Sequence, residues 1–267
     1  MEKSFQKIQI QKQINGSLSS VEDIVAVEAP LEIQIQHFKD PRPTSISVTM
    51  RTPGNDKELA LGFLFTEGLI QNYDQIKSVS TFIENTVGVL LNEGCVIELE
   101  KTDRNFYTTS SCGVCGKSSI EAIKTRSQFT IQKGEAFSTE VLFKLKEKLA
   151  VRQSLFSLTG GIHAAALFDL EGNLELIHED VGRHNALDKL VGEALILNKL
   201  PLTNRILLLS GRASFELIQK AIMAGIQTVV AVGAPSSLAV DLAKEHNQTL
   251  IGFLKDDNFN VYSGDII

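Results

Sequence analysis

Two cysteines three positions apart, Cys112 and Cys115, lie in the stretch Ser110-Ser-Cys-Gly-Val-Cys-Gly116, the sharpest chemical feature of the sequence. Thiols at this spacing can meet across one turn. Such a pair serves dithiol exchange, metal ligation, or carriage of sulfur as a persulfide. A structural zinc site needs four ligands, usually two such pairs, and the one remaining cysteine, Cys95, stands alone. A zinc deaminase needs a His-x-Glu element and a proline before its first cysteine, and neither is present. A thioredoxin-type site places the pair at the end of an early strand, whereas this one falls late, in polar text. Persulfide carriage and dithiol exchange both remain open on spacing alone. A carrier thiol needs thiolate character, which backbone N–H groups or cations supply, and Arg104 and Lys117 are near in sequence. Gly113 and Gly116 give the thiols an accessible backbone.

A second kind of chemistry is written further along. The runs from Leu207 through Ser210, Arg212 and Ser214, and from Val229 through Gly233 and Ser236, read as strand, turn and helix. Ligands of open α/β sheets bind beyond the carboxyl ends of the strands. Backbone N–H groups at the following helix, with nearby serine hydroxyls, suit an anion. Arg212 adds a bidentate phosphate contact. The plainer reading makes Ser214 and Ser236 helix caps and Gly233 a simple turn residue. The polar stretch from His178 to Leu190 sets Arg183, His184 and Asn185 at a strand-to-helix junction, which points to ligand contact. His163, after a Gly-Gly pair, reads as a hydrogen-bonded structural residue more than as a base. His37 and His246 read as surface positions.

These residues need elements to hold them. Hydrophobic residues make up 43% and charged residues 22%, as in a soluble globular chain large enough to fold without disulfides. Tryptophan is absent, so the core is aliphatic. A net charge of −6 argues against a nucleic-acid partner. No apolar run is long enough to span a membrane, and the opening residues lack the apolar core of a signal peptide, so the expected location is the cytoplasm. Residues 1–20 read as a flexible start or an edge strand. Residues 21–105 read as a β-rich lobe, with alternating strands within 31–51, a buried helix at 58–70, and short strands over 75–100 turning at 92–94. Residues 106–267 read as an α/β lobe carrying the cysteine loop. There a helix at 138–152 precedes strands at 161–168 and 174–178 and a helix at 183–196. The aliphatic strands 206–209, 228–232 and 250–254 alternate with helices 215–224 and 237–245. Continuous aliphatic strands joined by helices predict parallel pairing covered on both faces.

Five stretches in order, SSCGVCG, TGGIHAAAL, EDVGRHNALDKL, SGRASFELIQKA and VGAPSSLAVDLA, resemble the accessory sulfurtransferases required for formate dehydrogenase activity. The resemblance covers about residues 20–267. It implies a mixed, partly parallel α/β fold like that of cytidine deaminases, three-layered and without their zinc, in a homodimer. It implies a sulfurtransferase that accepts sulfur from a cysteine desulfurase as a persulfide on Cys112, with Cys115 assisting. The sulfur then passes to a molybdenum bis(guanine dinucleotide) cofactor destined for formate dehydrogenase, bound as substrate, with no metal held by the protein itself. The cofactor-contacting stretch of the family falls on Phe253, Leu254, Lys255, Asp256, Asp257 and Asn258. Asp256 and Asp257 make that stretch acidic here, which fits backbone contact or guanine recognition better than side-chain contact with phosphate.

Overall fold

The computed structural model describes residues 4–40, 42–95, 97, 127–131 and 137–266. Cys112 and Cys115, with Arg104 and Lys117, lie outside the described residues. The chain opens with β1 (Phe5–Ile14) and β2 (Ser17–Ala26), paired in register as a two-stranded antiparallel ribbon. Asn15 and Gly16 join them, both at positive φ (50° and 84°), as a type I′ hairpin turn requires. The start of the chain is therefore a hairpin rather than a frayed end, and Asn-Gly was its signal.

A four-stranded sheet follows, built from β3 (Ala29–Gln36), β4 (Thr44–Arg51), β5 (Ile76–Ser80) and β6 (Thr86–Leu91) in the order β4-β3-β6-β5. Residues 81–85 make the β5–β6 connection, and the expected turn at 92–94 instead follows β6. Between β4 and β5 lies α1 (Asp56–Thr66), apolar nearly all round and almost wholly buried.

The second half contains α2 (Thr139–Arg152), α3 (Ser154–Thr159), β7 (His163–Phe168), β8 (Leu174–Asp180), α4 (Arg183–Ile196), β9 (Ile206–Leu209), α5 (Phe215–Met223), β10 (Thr228–Ala231), α6 (Ser237–Glu245), β11 (Thr249–Gly252) and β12 (Asn260–Ser263). Its six strands run in the order β12-β11-β10-β9-β7-β8. The trio β9, β10 and β11 is parallel, as the aliphatic runs predict; β7, β8 and β12 pair antiparallel. The fold is thus mixed α/β with mixed sheets.

Alternation along each strand divides the core in two. Ala164, Ala166, Phe168, Ile206, Leu208 and Val230 pack with Leu142, Leu145 and Leu149 of α2. Ala165, Leu167, Leu207, Leu209 and Val229 face the other way, into a cluster shared with α1, α4, α5 and the first sheet's Leu31, Ile33, Val87 and Val89. The layers run α2, six-stranded sheet, helices, four-stranded sheet. Helices α1 and α4 touch backbone to backbone. A Cβ on Gly62 would lie 1.8 Å from the Asp188 carbonyl oxygen, and one on Gly192 would lie 1.9 Å from that of Glu58. Only glycine permits this crossing, and it brings α4, with the loop before it, against the first lobe. Among the described residues no helix is long and apolar enough to cross a membrane.

Candidate functional site

At the carboxyl edge of the parallel strands the loops interlock. Gly233 N donates to Gly211 O at 2.9 Å, Ala213 N to Ala234 O at 3.1 Å, Ser236 N to Ala213 O at 3.0 Å and Phe253 N to Gly233 O at 3.1 Å. The close packing needs small residues, since a Cβ on Gly233 would approach Gly211 O and Arg212 Cα at 3.0 and 3.1 Å. The residues expected to face an anion are therefore brought into one row, but several of their polar groups are already spent. Ser210 Oγ accepts from Ala164 N at 2.8 Å and locks β7 to β9. Ser236 Oγ accepts from Ala239 N at 3.3 Å, the helix-cap role. The buried His184 meets Ser214 Oγ at 3.3 Å and approaches Glu216 at 3.9 Å, a strut between the starts of α4 and α5.

The groups left facing the row are Arg183, Arg212 and His163. The Nε of Arg183 is buried and has no hydrogen-bond partner among the described residues. A buried donor without a partner calls for an acceptor. Arg212 is exposed. His163, which the sequence presents as a structural residue, has its ring 3.2 Å from where a Gly211 Cβ would sit. Burial, and next the charge of Arg183, lower its pKa from the ordinary value, with Arg212 adding to the effect against the opposing pull of Asp180. The imidazole is thereby biased toward its neutral form by burial and by the charges of Arg183 and Arg212. Two guanidiniums near an imidazole biased toward its neutral form are groups able to receive an anion.

The loop that carries Arg183 is clamped from beneath. Asp180, fully buried, accepts from Gly182 N (2.8 Å), Asn185 Nδ2 (3.2 Å) and Thr52 N (3.1 Å), and pairs with Lys189 Nζ at 2.7 Å. Lys189 also donates to Thr52 O at 2.9 Å, and Thr52 Oγ1 accepts from Val181 N at 3.1 Å. Asn185 reaches Met50 O at 2.8 Å and accepts from Thr49 Oγ1 at 3.1 Å. Asn185, expected at the ligand, thus belongs to this clasp between the lobes. His178 is likewise internal, 2.6 Å from Glu193 on α4.

The stretch after β11 begins at the row and then leaves it. Phe253, at φ 53° and 41% exposed, stands beside Gly233. Leu254 is 1% exposed and packs in the α2-side core, so only its backbone can reach a ligand. Lys255 N donates to Asn258 O at 2.8 Å, Asn258 Nδ2 reaches Asp257 at 2.6 Å, and Asp256 pairs with Lys146 at 2.8 Å. Cys95 is a half-buried free thiol against the core.

Known proteins bear on this arrangement. A protein of Streptomyces avermitilis named sulfur carrier protein FdhD is 47% identical over 94% of this chain and 91% of its own length. Proteins of the same name from Sulfolobus acidocaldarius and Mycobacterium tuberculosis are 42% and 43% identical over 97% and 90% of the chain, and 96% and 90% of theirs. A crystal structure from Desulfotalea psychrophila, whose proposed assignment is formate dehydrogenase accessory protein, superposes with a TM-score of 0.77 over 99% of this chain and 100% of that one. At 22% identity it speaks for the fold. The FdhD/NarQ pattern matches residues 26–266, and with these relatives it shows that the chain belongs to the FdhD/NarQ family.

Proposed function

We propose that this chain is a sulfur carrier in formate dehydrogenase maturation, taking sulfur from a cysteine desulfurase on Cys112 and giving it to a molybdenum bis(guanine dinucleotide) held as substrate at the Arg183–Arg212 row. The observation that carries the reading is the near full-length identity, 42–47%, to proteins named sulfur carriers, in a chain that contains the Cys112/Cys115 pair. The row supports the acceptor half, because guanidiniums and an uncharged imidazole suit the phosphates of a dinucleotide. On this reading α2, the six-stranded sheet and the helices beyond it form the cytidine-deaminase-like three layers, with the four-stranded sheet outside them, and the protein works as a cytoplasmic homodimer.

The Cys112 thiolate attacks the terminal sulfur of the desulfurase persulfide. The donor S–S bond breaks, the donor departs as a thiolate, and Cys112 holds the sulfur as a persulfide. Attack of the Cys115 thiolate on the Cys112 sulfur then forms a disulfide and expels the outer sulfur with the bonding pair, as sulfide, toward the acceptor. A cellular dithiol must afterwards reduce the disulfide.

Incubation with a cysteine desulfurase and cysteine should add the mass of one sulfur atom to the peptide containing Cys112. Cys112→Ala should abolish the gain and leave formate dehydrogenase protein present but inactive in the host. Absence of the gain with intact thiols, together with rapid reduction of model disulfides, would show a dithiol oxidoreductase instead. For the acceptor half, Arg183→Ala and Arg212→Ala should each weaken binding of GDP, used as the probe, by about tenfold, the scale of one charge-assisted hydrogen bond. Calorimetry giving unchanged affinity in both variants would remove the row from the substrate site.

A further inference from the structure

Helix α2 buries Leu142, Leu145 and Leu149 and turns Lys144, Lys148 and Arg152 outward. These three stand at i, i+4 and i+8, one straight stripe about 12 Å long. They line a cleft of about 450 Å³ between α2 and the β7–β8 turn, where Asn173 and Leu174 form the opposite wall. Like charges at this spacing repel along a helix. The chain has 32 acidic side chains against 26 basic ones, yet Glu147 is the one carboxylate lining the cleft among the described residues. Neither Lys144 nor Arg152 has an ion-pair partner among the described residues. By contrast Lys146, one residue round the helix, is paired with Asp256.

Two further observations give the cleft a shape. Lys148 Nζ donates to Gly172 O, which pins the middle cation against the wall. Gly172 admits this approach, since a Cβ there would meet Val141 Cγ1 at 2.7 Å. Val151, 79% exposed, lies in the lining beside the stripe. The cations are spread along a line instead of converging on one point, and an apolar side chain sits among them. A compact phosphate wants convergent donors. A peptide with carboxylates about 6 Å apart, matching i and i+4 on a helix or i and i+2 on a strand, and with an apolar residue between them, fits this line.

We propose that this face of α2 docks an acidic segment of a partner protein, its carboxylates along Lys144, Lys148 and Arg152 and one apolar side chain over Val151. The site is on the opposite side of the central sheet from α4 and is independent of the sulfur-carrier reading. The test is fluorescence anisotropy of the full chain with a fluorescein-labelled oligoglutamate carrying one central leucine. Saturable binding at low ionic strength is expected, weakening as salt rises. Lys144→Glu/Arg152→Glu should lose about tenfold or more in affinity with an unchanged thermal midpoint. Lys244→Glu on α6, also exposed, should bind like the parent chain. Equal binding by the double variant, or no saturable binding by the parent, overturns the proposal. So does preferential binding to tripolyphosphate or to phosphatidylserine vesicles over the peptide, since each would make the cleft a phosphate or membrane site.

Discussion

Lys220→Met should destabilise the protein by about 3–5 kcal/mol, the usual consequence of leaving one buried charge without its partner. Lys220 on α5 has a side chain only 8% exposed, at the junction of α1, α4 and α5. Its ammonium lies 2.9 Å from both oxygens of Asp188, donates to Thr66 Oγ1 at 2.9 Å, and stands 3.5 Å from Glu67. Thr66 in turn donates to Asp188 at 2.8 Å. Burial alone would lower the Lys220 pKa, but the facing carboxylates of Asp188 and Glu67 outweigh it and hold the group above its ordinary value. The amine therefore stays charged at neutral pH. With methionine in its place, Asp188, 2% exposed, keeps only the Thr66 hydroxyl among the described residues. The loss is a large share of the roughly 5–15 kcal/mol by which a domain is stable, and it is read as a fall in denaturant midpoint at constant slope. The double change Lys220→Met/Asp188→Leu should recover most of it, because removing both charges removes the uncompensated one. A single variant within 1 kcal/mol of the parent would show that water, not Lys220, satisfies Asp188.

The pair also illustrates where the sequence is legible. Aliphatic runs at strand length and apolar residues at helical spacing placed β7, β9, β10 and α2, α4, α5 and α6 close to their observed bounds. Strand–turn–helix punctuation likewise put Gly233, Ser210 and Arg212 at one sheet edge. The hairpin of β1 and β2 went unread because its exposed, glutamine-rich strands carry little apolar contrast; the Asn15-Gly16 turn held the information. The short β12 was unread for want of length. What a single sequence does not display is long-range satisfaction. Thr52 and Asp180 are 128 positions apart, and Lys220 and Thr66 are 154 apart. Nothing in Thr52-Pro-Gly-Asn announces a carboxylate partner. For the same reason the serines and Asn185 read as ligand groups, though neighbours already occupy Ser210, Ser236 and Asn185.

That clasp is where stability and the Arg183–Arg212 row meet, and Lys189→Met is the change that separates them. Lys189 and Asp180 are 2% and 0% exposed, and their contact at 2.7 Å joins the end of β8 to α4. Without the ammonium, Asp180 retains the N–H groups of Gly182 and Thr52 and the Asn185 amide, but carries a buried charge with no countercharge. A cost of about 3–5 kcal/mol follows, again as a shift in denaturant midpoint. The same ammonium holds Thr52 O, so its loss also frees the Thr52 loop from beneath Val181 and Arg183. Arg183 is positioned through that loop, and its unpartnered Nε makes its placement sensitive to small shifts. GDP affinity should therefore fall in Lys189→Met at temperatures where the far-ultraviolet spectrum is still native, whereas Lys220→Met, similarly destabilising but bonded to Thr66, Glu67 and Asp188 instead of Thr52 and Asp180, should bind GDP as the parent does. Lys189→Met/Asp180→Asn should regain part of the stability, because the amide is neutral and can still accept from Gly182 N. It should regain less of the affinity, since Lys189 no longer fixes Thr52. Parallel losses of affinity in Lys189→Met and Lys220→Met would assign the effect to general loosening, and the clasp would then be a structural joint with no bearing on the proposed Arg183–Arg212 site.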